Sequence, residues 1–203
     1  MGPKPSLPPC GYIVVYMGLA SKALSALHDE ARSRNYMPVF QEVGGDSDDQ
    51  FREQSRVIRR SGAVGELKRA LKAIAACLDP GWPPSVFSFM RSRPGGAEQE
   101  TPRLPFQLNS KGRVPASIVC ALEEGTQLRV FDGCFATKDD AKARVLSIPV
   151  GFCVIFRGDL IHNGMPYETT NHRNHCYLSY RGLAWELDIV SSATTNVSTA
   201  TLN

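Results

Sequence analysis

No apolar run in this 203-residue chain is long enough to cross a bilayer. The opening MGPKPSLPPCGYIVVYMGLA has one lysine and a proline-rich lead before a short apolar stretch. It lacks the longer apolar core and small-residue cleavage site of a secretory signal, so the stretch is expected to be a buried strand in a cytoplasmic protein. Met1-Gly2 with Ser6 formally fits the myristoylation pattern, but the prolines at 3 and 5 make a poor match. Strong charge is missing as well. Lys and Arg number 23 against 20 Asp and Glu, a net charge of +3 that gives no argument for nucleic acid. Cys10, Cys77, Cys120, Cys134, Cys153 and Cys176 contain no CxxC pair. Cys77, Cys120, Cys153 and Cys176 lie in apolar segments, where a free thiol packs as a small hydrophobe, so reduced core cysteines are expected rather than a disulfide framework. The sequon at Asn196 has no secretory signal to give it meaning. No internal repeat is visible. What is left is an ordinary globular composition, long enough for a full core.

The chain reads in three stretches. After the proline-rich arm, residues 12 to 17 form a short apolar strand, and Ser21 can cap a helix running to about residue 35 with Ala23, Leu24, Leu27 and Ala31 on one face. A strand over 37 to 43 follows. A second helix over about 49 to 60 is expected to carry Arg52, Arg56, Arg59 and Arg60, and Gly62 to break it. A third runs from about Val64 to Leu78, with Leu67, Leu71, Ile74 and Leu78 at helical spacing. From Ser85 the period becomes that of strands, over 86–91, 116–122, 127–131, 143–148, 152–156 and 174–180, separated by turns such as Asp132-Gly133 and Gly158-Asp159. Helices first and short strands after suggest an α+β domain with a β-sandwich or barrel core. The expected organisation is a strand and helix region over 1–84, a β core over 85–190 and a loose Ser/Thr/Asn-rich tail over 191–203, together one structural domain.

The most informative segment is RVLSIPVGFCVIFRGDLIHNGMPYETTNHRNHCYLSYRG, residues 144 to 182. A β-rich run ends in a Gly-Asp turn, His162 follows, and Arg173 comes eleven residues later on an alternating strand. From Ser85 to Arg181 the chain resembles the double-stranded β-helix (jelly-roll, cupin-type) core of the 2-oxoglutarate/Fe(II)-dependent oxygenases, with the N-terminal helices packed on that core. The resemblance implies a facial triad of two histidines and a carboxylate that leaves positions open for co-substrate and oxygen. His162 matches the distal metal ligand. Arg173 matches the residue that grips the far carboxylate of 2-oxoglutarate, because a guanidinium binds a carboxylate through two parallel hydrogen bonds. Alternation puts Arg173, His175 and Tyr177 on one face of the strand, so Arg173 and His175 are expected to face the barrel beside His162. The His-x-Asp half of the motif is degenerate. One register places it at Pro102 and Leu104, which offer no ligand, and the other at Gln107 and Asn109, which offer two neutral amides. The only upstream histidine, His28, lies in a helical segment that nothing in the sequence brings to the site.

Each residue has a plainer reading. His162 could cap a strand, and Arg173 could pair with Glu123, Glu124 or Asp159. His175 could be a pocket wall, and His172, on the opposite face, is expected to be solvated. A zinc site from His162, His175 and Cys176 is disfavoured because alternation separates the last two. Arg52, Arg56 and Arg59 read as a solvated helix face, diluted by Glu53 and Glu66 and without an aromatic row. Three functions follow. The first is an oxygenase-like protein without the His-x-Asp ligands, a pocket or scaffold that binds 2-oxoglutarate, another small organic acid or a protein partner. The second is an active dioxygenase using Fe(II) and 2-oxoglutarate, with non-standard ligands drawn from His162, His175 and Asp159 or Glu168. The third is a jelly-roll assembly protein, which gives no reason for the His162 and Arg173 pair.

Overall fold

Alternating apolar residues sort the strands onto two sides of one large sheet, and helical spacing supplies what covers one of those sides. The computed structural model describes residues 7–39, 49–99, 102–103, 114–180, 191–192 and 194–195. The elements are β1 (Tyr12–Tyr16), α1 (Ser21–Ser33), β2 (Met37–Pro38), β3 (Arg52–Arg56), α2 (Gly62–Leu78), β4 (Pro84–Ser92), β5 (Pro102–Arg103), β6 (Ala116–Ala121), β7 (Gln127–Phe131), β8 (Thr137–Lys138), β9 (Ala143–Ser147), β10 (Phe152–Arg157), β11 (His162–Gly164), β12 (Asn171–Leu178), β13 (Ser191–Ser192) and β14 (Thr194–Thr195). A seven-stranded antiparallel sheet runs β1-β10-β6-β12-β4-β3-β2, and a three-stranded one runs β11-β7-β9. The fold is the α+β jelly roll expected from the sequence.

Two apolar layers lie on either side of the large sheet. Leu27 and Ala31 of α1, with Val64, Leu67, Leu71 and Ala75 of α2, pack on Phe89, Ile118, Cys120, Ile155, Cys176 and Leu178. Their neighbours in the same strands, Val119, Ala121, Val154 and Phe156, turn the other way and pack with Leu128 and Val130 of the small sheet. The space between the sheets is the barrel interior. β12 lies between β6 and β4 in the middle of the large sheet, so both of its edges are paired, and α1 packs on one of its faces.

Several boundaries differ from the sequence reading. Ser21 is the first residue of α1, and Ala20 takes the N-cap position without a side-chain bond. Ser61 caps α2 by accepting the Val64 N–H, so Gly62 opens this helix rather than breaking one. The expected helix over 49–60 is instead β3, paired along β4 and β2. Its polar residues acquire specific partners there. Arg52 donates to the Ala97 carbonyl at 2.6 Å and ion-pairs with Asp49, while Glu53 accepts from Arg91 and Arg93. Tertiary pairing thus overrides the helical spacing of the arginines. Residues 40–43 of the expected strand lie outside the described residues. The tail is partly paired, β13 with β5 and β14 with β8. Among the described residues, no helix is long and apolar enough to cross a membrane.

Candidate functional site

Strand parity decides what faces the barrel. On β12, Arg173 is flanked by Met90 and Ala121, His175 by Ser88 and Val119, and Tyr177 by Ser117. Laterally paired residues share a sheet face, and Val119 and Ala121 belong to the layer between the sheets. Arg173, His175 and Tyr177 therefore turn inward. Arg173 is only 8% exposed. Its guanidinium lies 5.4 Å from the centre of the Tyr167 ring, and its Nη1 is enclosed without a hydrogen-bond partner. The pairing that the plainer reading offered it does not form among the described residues: Glu123 bonds to His28 and His172, Glu124 is exposed, and Asp159 takes two bonds from Arg157 at 2.9 and 2.7 Å. His175 stacks edge-on against Tyr177 with centroids 4.5 Å apart. Two more buried atoms without partners occupy the inward face, the hydroxyls of Ser92 and Ser117.

His162 opens β11 opposite Val130, and its ring rests on Phe156 at 4.6 Å between centroids. Its Nδ1 is 2.8 Å from the Leu160 carbonyl. A carbonyl can only accept, so Nδ1 carries the proton and Nε2 keeps its lone pair. Desolvation by the surrounding protein lowers its pKa, against the opposing pull of the Leu160 bond, so the ring is neutral near pH 7 although part of its surface reaches solvent. Gln107, Asn109 and Leu104 lie outside the described residues, and of Pro102 only its strand pairing with Ser192 is described.

The opposite face of β12 holds what the sequence reading missed. His172 is 7% exposed rather than solvated, because α1 and not water covers this side. His28 reaches it from α1, and both rings meet the carboxylate of Glu123 just past β6. The signal was present: His28 shares a helical stripe with Leu24, Leu27 and Ala31, and a polar residue on a core-facing stripe points at the sheet. Cys176, two positions beyond Asn174 on the same side, is buried in the helix-covered layer with its thiol pKa raised by desolvation, which removes it from any site shared with His175.

With the geometry in place, the likenesses can be read. No protein-family model matches the chain, and no curated protein matches it significantly. Solved structures do. A Pseudomonas putida prolyl-4-hydroxylase superposes with a TM-score of 0.61 at 18% identity, over 85% of this chain and 94% of its own. HygX from Streptomyces hygroscopicus, solved with nickel and 2-oxoglutarate bound, gives 0.63 at 8% identity over 86% and 84%. The epimerase SnoN, in complex with Fe3+, alpha ketoglutarate and nogalamycin RO, gives 0.61 at 13% identity over 87% and 82%. The fold is that of the 2-oxoglutarate/Fe(II) oxygenases.

That oxygenase fold invites a test of whether the chain fits iron and 2-oxoglutarate. Toward an acid the chain offers Arg173, a buried cation whose Nη1 has no described hydrogen-bond partner. Among the described residues, a three-ligand metal centre does not assemble around His162. Among the described residues, no carboxylate joins His162 and His175, since Asp159 is held by Arg157 and Glu168 is exposed. The one described group of three His, Cys, Asp or Glu residues with ligand atoms within 4.8 Å of one another is His28, Glu123 and His172, on the far side of β12.

Proposed function

We propose that this is a cytoplasmic, non-catalytic protein of the oxygenase fold whose barrel binds a small organic acid, such as 2-oxoglutarate, on Arg173. The observation that carries this reading is the enclosed, unpartnered Nη1 of Arg173. A buried guanidinium without a counter-charge costs several kcal/mol, on the order of the penalty for breaking a buried ion pair. A carboxylate placed there would accept two parallel bonds and remove that cost. His175 and Tyr177 line the same face and would flank the acid, and the hydroxyls of Ser92 and Ser117 offer further donors. Neither register for His-x-Asp, Pro102 with Leu104 or Gln107 with Asn109, supplies a histidine or a carboxylate, which supports binding without turnover. In such a protein the loaded barrel would act as a scaffold for a protein partner.

A working dioxygenase is the second reading, favoured by the likeness to HygX and SnoN and by the free lone pair of His162. Anaerobic titration of metal-stripped protein with Fe(II) and 2-oxoglutarate separates the two. The non-catalytic reading expects no visible charge-transfer band of chelated 2-oxoglutarate, together with calorimetric binding of 2-oxoglutarate that is lost in Arg173→Ala and kept in His162→Ala. A band abolished by both substitutions would establish the dioxygenase instead. Absence of both signals in folded protein would refute the acid pocket.

A further inference from the structure

The helix-covered side of β12 carries a cluster that the barrel does not use. His28 comes from α1, Glu123 from the turn after β6 and His172 from β12, and their ligand atoms all lie within 4.8 Å of one another. Nε2 of His28 is 2.5 Å and Nδ1 of His172 is 2.9 Å from the same carboxylate oxygen, Oε1 of Glu123. The other oxygen, Oε2, accepts the backbone N–H of His172 at 2.7 Å. The three residues are separated by 95 and 49 positions in the chain, so only the packing of α1 on the sheet assembles them.

We propose that His28, Glu123 and His172 form a binding site for a divalent transition metal of the zinc class, which ties α1 to the large sheet. Two imidazoles and one carboxylate are a donor set that such ions accept, with a fourth position left open. Metal–ligand bonds of about 2.0–2.2 Å in a tetrahedral arrangement put ligand atoms roughly 3.3 Å apart. The two nitrogens would therefore withdraw from Oε1 by less than about 1 Å, within reach of side-chain torsions. On metal binding, each ring nitrogen facing Glu123 presents its lone pair and the ring proton resides on its other nitrogen. The backbone bond to Oε2 fixes the carboxylate from behind, the outer-shell support that ligating carboxylates usually have. His172 is nearly dry, and the Tyr36 ring lies 6.0 Å from it, centre to centre.

A cleft of about 360 Å³ lined by Arg32, Arg91, Arg93, Pro94, Thr170 and His172 adjoins the cluster at His172. In the proposed site the fourth position would go to water or a small anion. Arg91 and Arg93 are both bonded to Glu53, which reduces their repulsion of a cation. The competing account of the same geometry is a metal-free clamp in which Glu123 simply accepts a proton bond from each ring.

Chelator-stripped full-length protein titrated with Co(II), followed by its visible d–d bands, and with Zn(II) by calorimetry decides between them. The expected result is one equivalent bound, with Zn(II) displacing Co(II) and raising the melting temperature. His28→Gln, at a half-exposed helix position that tolerates the change, and Glu123→Gln should each weaken Zn(II) binding by at least about 100-fold, beyond the usual loss for a supporting outer-shell group. His162→Ala should leave the binding unchanged, which keeps this outcome independent of any iron site in the barrel. Failure of folded wild-type protein to bind either ion would establish the clamp. Binding insensitive to His28→Gln, or abolished by His162→Ala, would also overturn the proposal.

Discussion

Glu53 offers the sharpest test of how β3 is held. It is 6% exposed and accepts three bonds: from Arg91 Nε at 2.6 Å, Arg93 Nε at 3.0 Å and Arg93 Nη2 at 2.9 Å. Burial alone would raise its pKa, but the bonds from Arg91 and Arg93 outweigh it and hold the carboxyl below its ordinary 4.5. Breaking a buried ion pair costs about 3–5 kcal/mol. The Arg93 side chain is 53% exposed, so its share is screened toward that of a surface pair, below about 1 kcal/mol. Arg91, at 22%, keeps more. Glu53→Ala should therefore destabilise by about 2–4 kcal/mol, and in a domain of this size each kcal/mol lowers the melting temperature by roughly 2–4 °C. The sign of the pH dependence follows from the depressed pKa. The contribution is complete above the unfolded value near 4.5 and disappears as pH falls through the lower folded value. Urea melts of wild type, Glu53→Ala, Arg91→Met and the double variant at pH 7 and pH 4 measure this. A coupling energy below about 0.5 kcal/mol at pH 7, or one that grows on acidification, would refute the reasoning.

Three further outcomes are expected. Arg173→Met should abolish binding of 2-oxoglutarate while leaving the unliganded protein as stable as wild type or up to about 2 kcal/mol more so, because a buried cation without a partner is removed; melting curves with and without the acid check it. Cys120, Cys153 and Cys176 are fully buried, and burial raises the Cys120 and Cys176 thiols well above their ordinary value, whereas Cys77 is exposed and Cys10 partly so; alkylation of native protein near neutral pH, read by intact mass, should label Cys10 and Cys77 first and the core thiols only on unfolding. Val86 sits at φ 48° in β4, where its pairing with β12 shifts register between His175 and Tyr177, so Val86→Gly should be neutral or stabilising by about 1 kcal/mol in chemical denaturation although it removes apolar surface.

How far the sequence carried the structure depended on whether local spacing and tertiary pairing agreed. Strand 127–131 and helix 64–78 were legible because their periods coincide with the faces they bury. The shared inward face of Arg173, His175 and Tyr177 was legible because alternation along one strand fixes which side each residue takes. Residues 52–56 misled because Arg52, Arg56 and Arg59 repeat at helical intervals, while what holds the segment is strand pairing with β2 and β4 and bonds to residues as far as 112 positions away, beyond the reach of any local period. His172 misled for a related reason. Alternation placed it correctly on the face opposite Arg173, but the sequence could not say that α1 would cover that face.

That misjudgement carries the main consequence of the fold. In a sheet with one wet face, a strand reading His-Arg-Asn-His-Cys-Tyr would present chemistry on one side only. Here β12 is buried along most of its length, with only His175 partly exposed, so its polar residues meet two separate environments. Arg173 and His175 turn toward the barrel, where Nη1 of Arg173 has no described hydrogen-bond partner. His172 turns toward α1, where Glu123 and His28 complete a donor set. The two sites share a backbone but no side chain, and adjacent residues on it point in opposite directions. A ligand that orders Arg173 would act on the same short stretch of strand as an ion held by His172. Were both proposed sites filled, the two ligands would be positioned to influence each other through β12, and a Zn(II) titration repeated with 2-oxoglutarate bound would show that coupling as equal changes in both affinities.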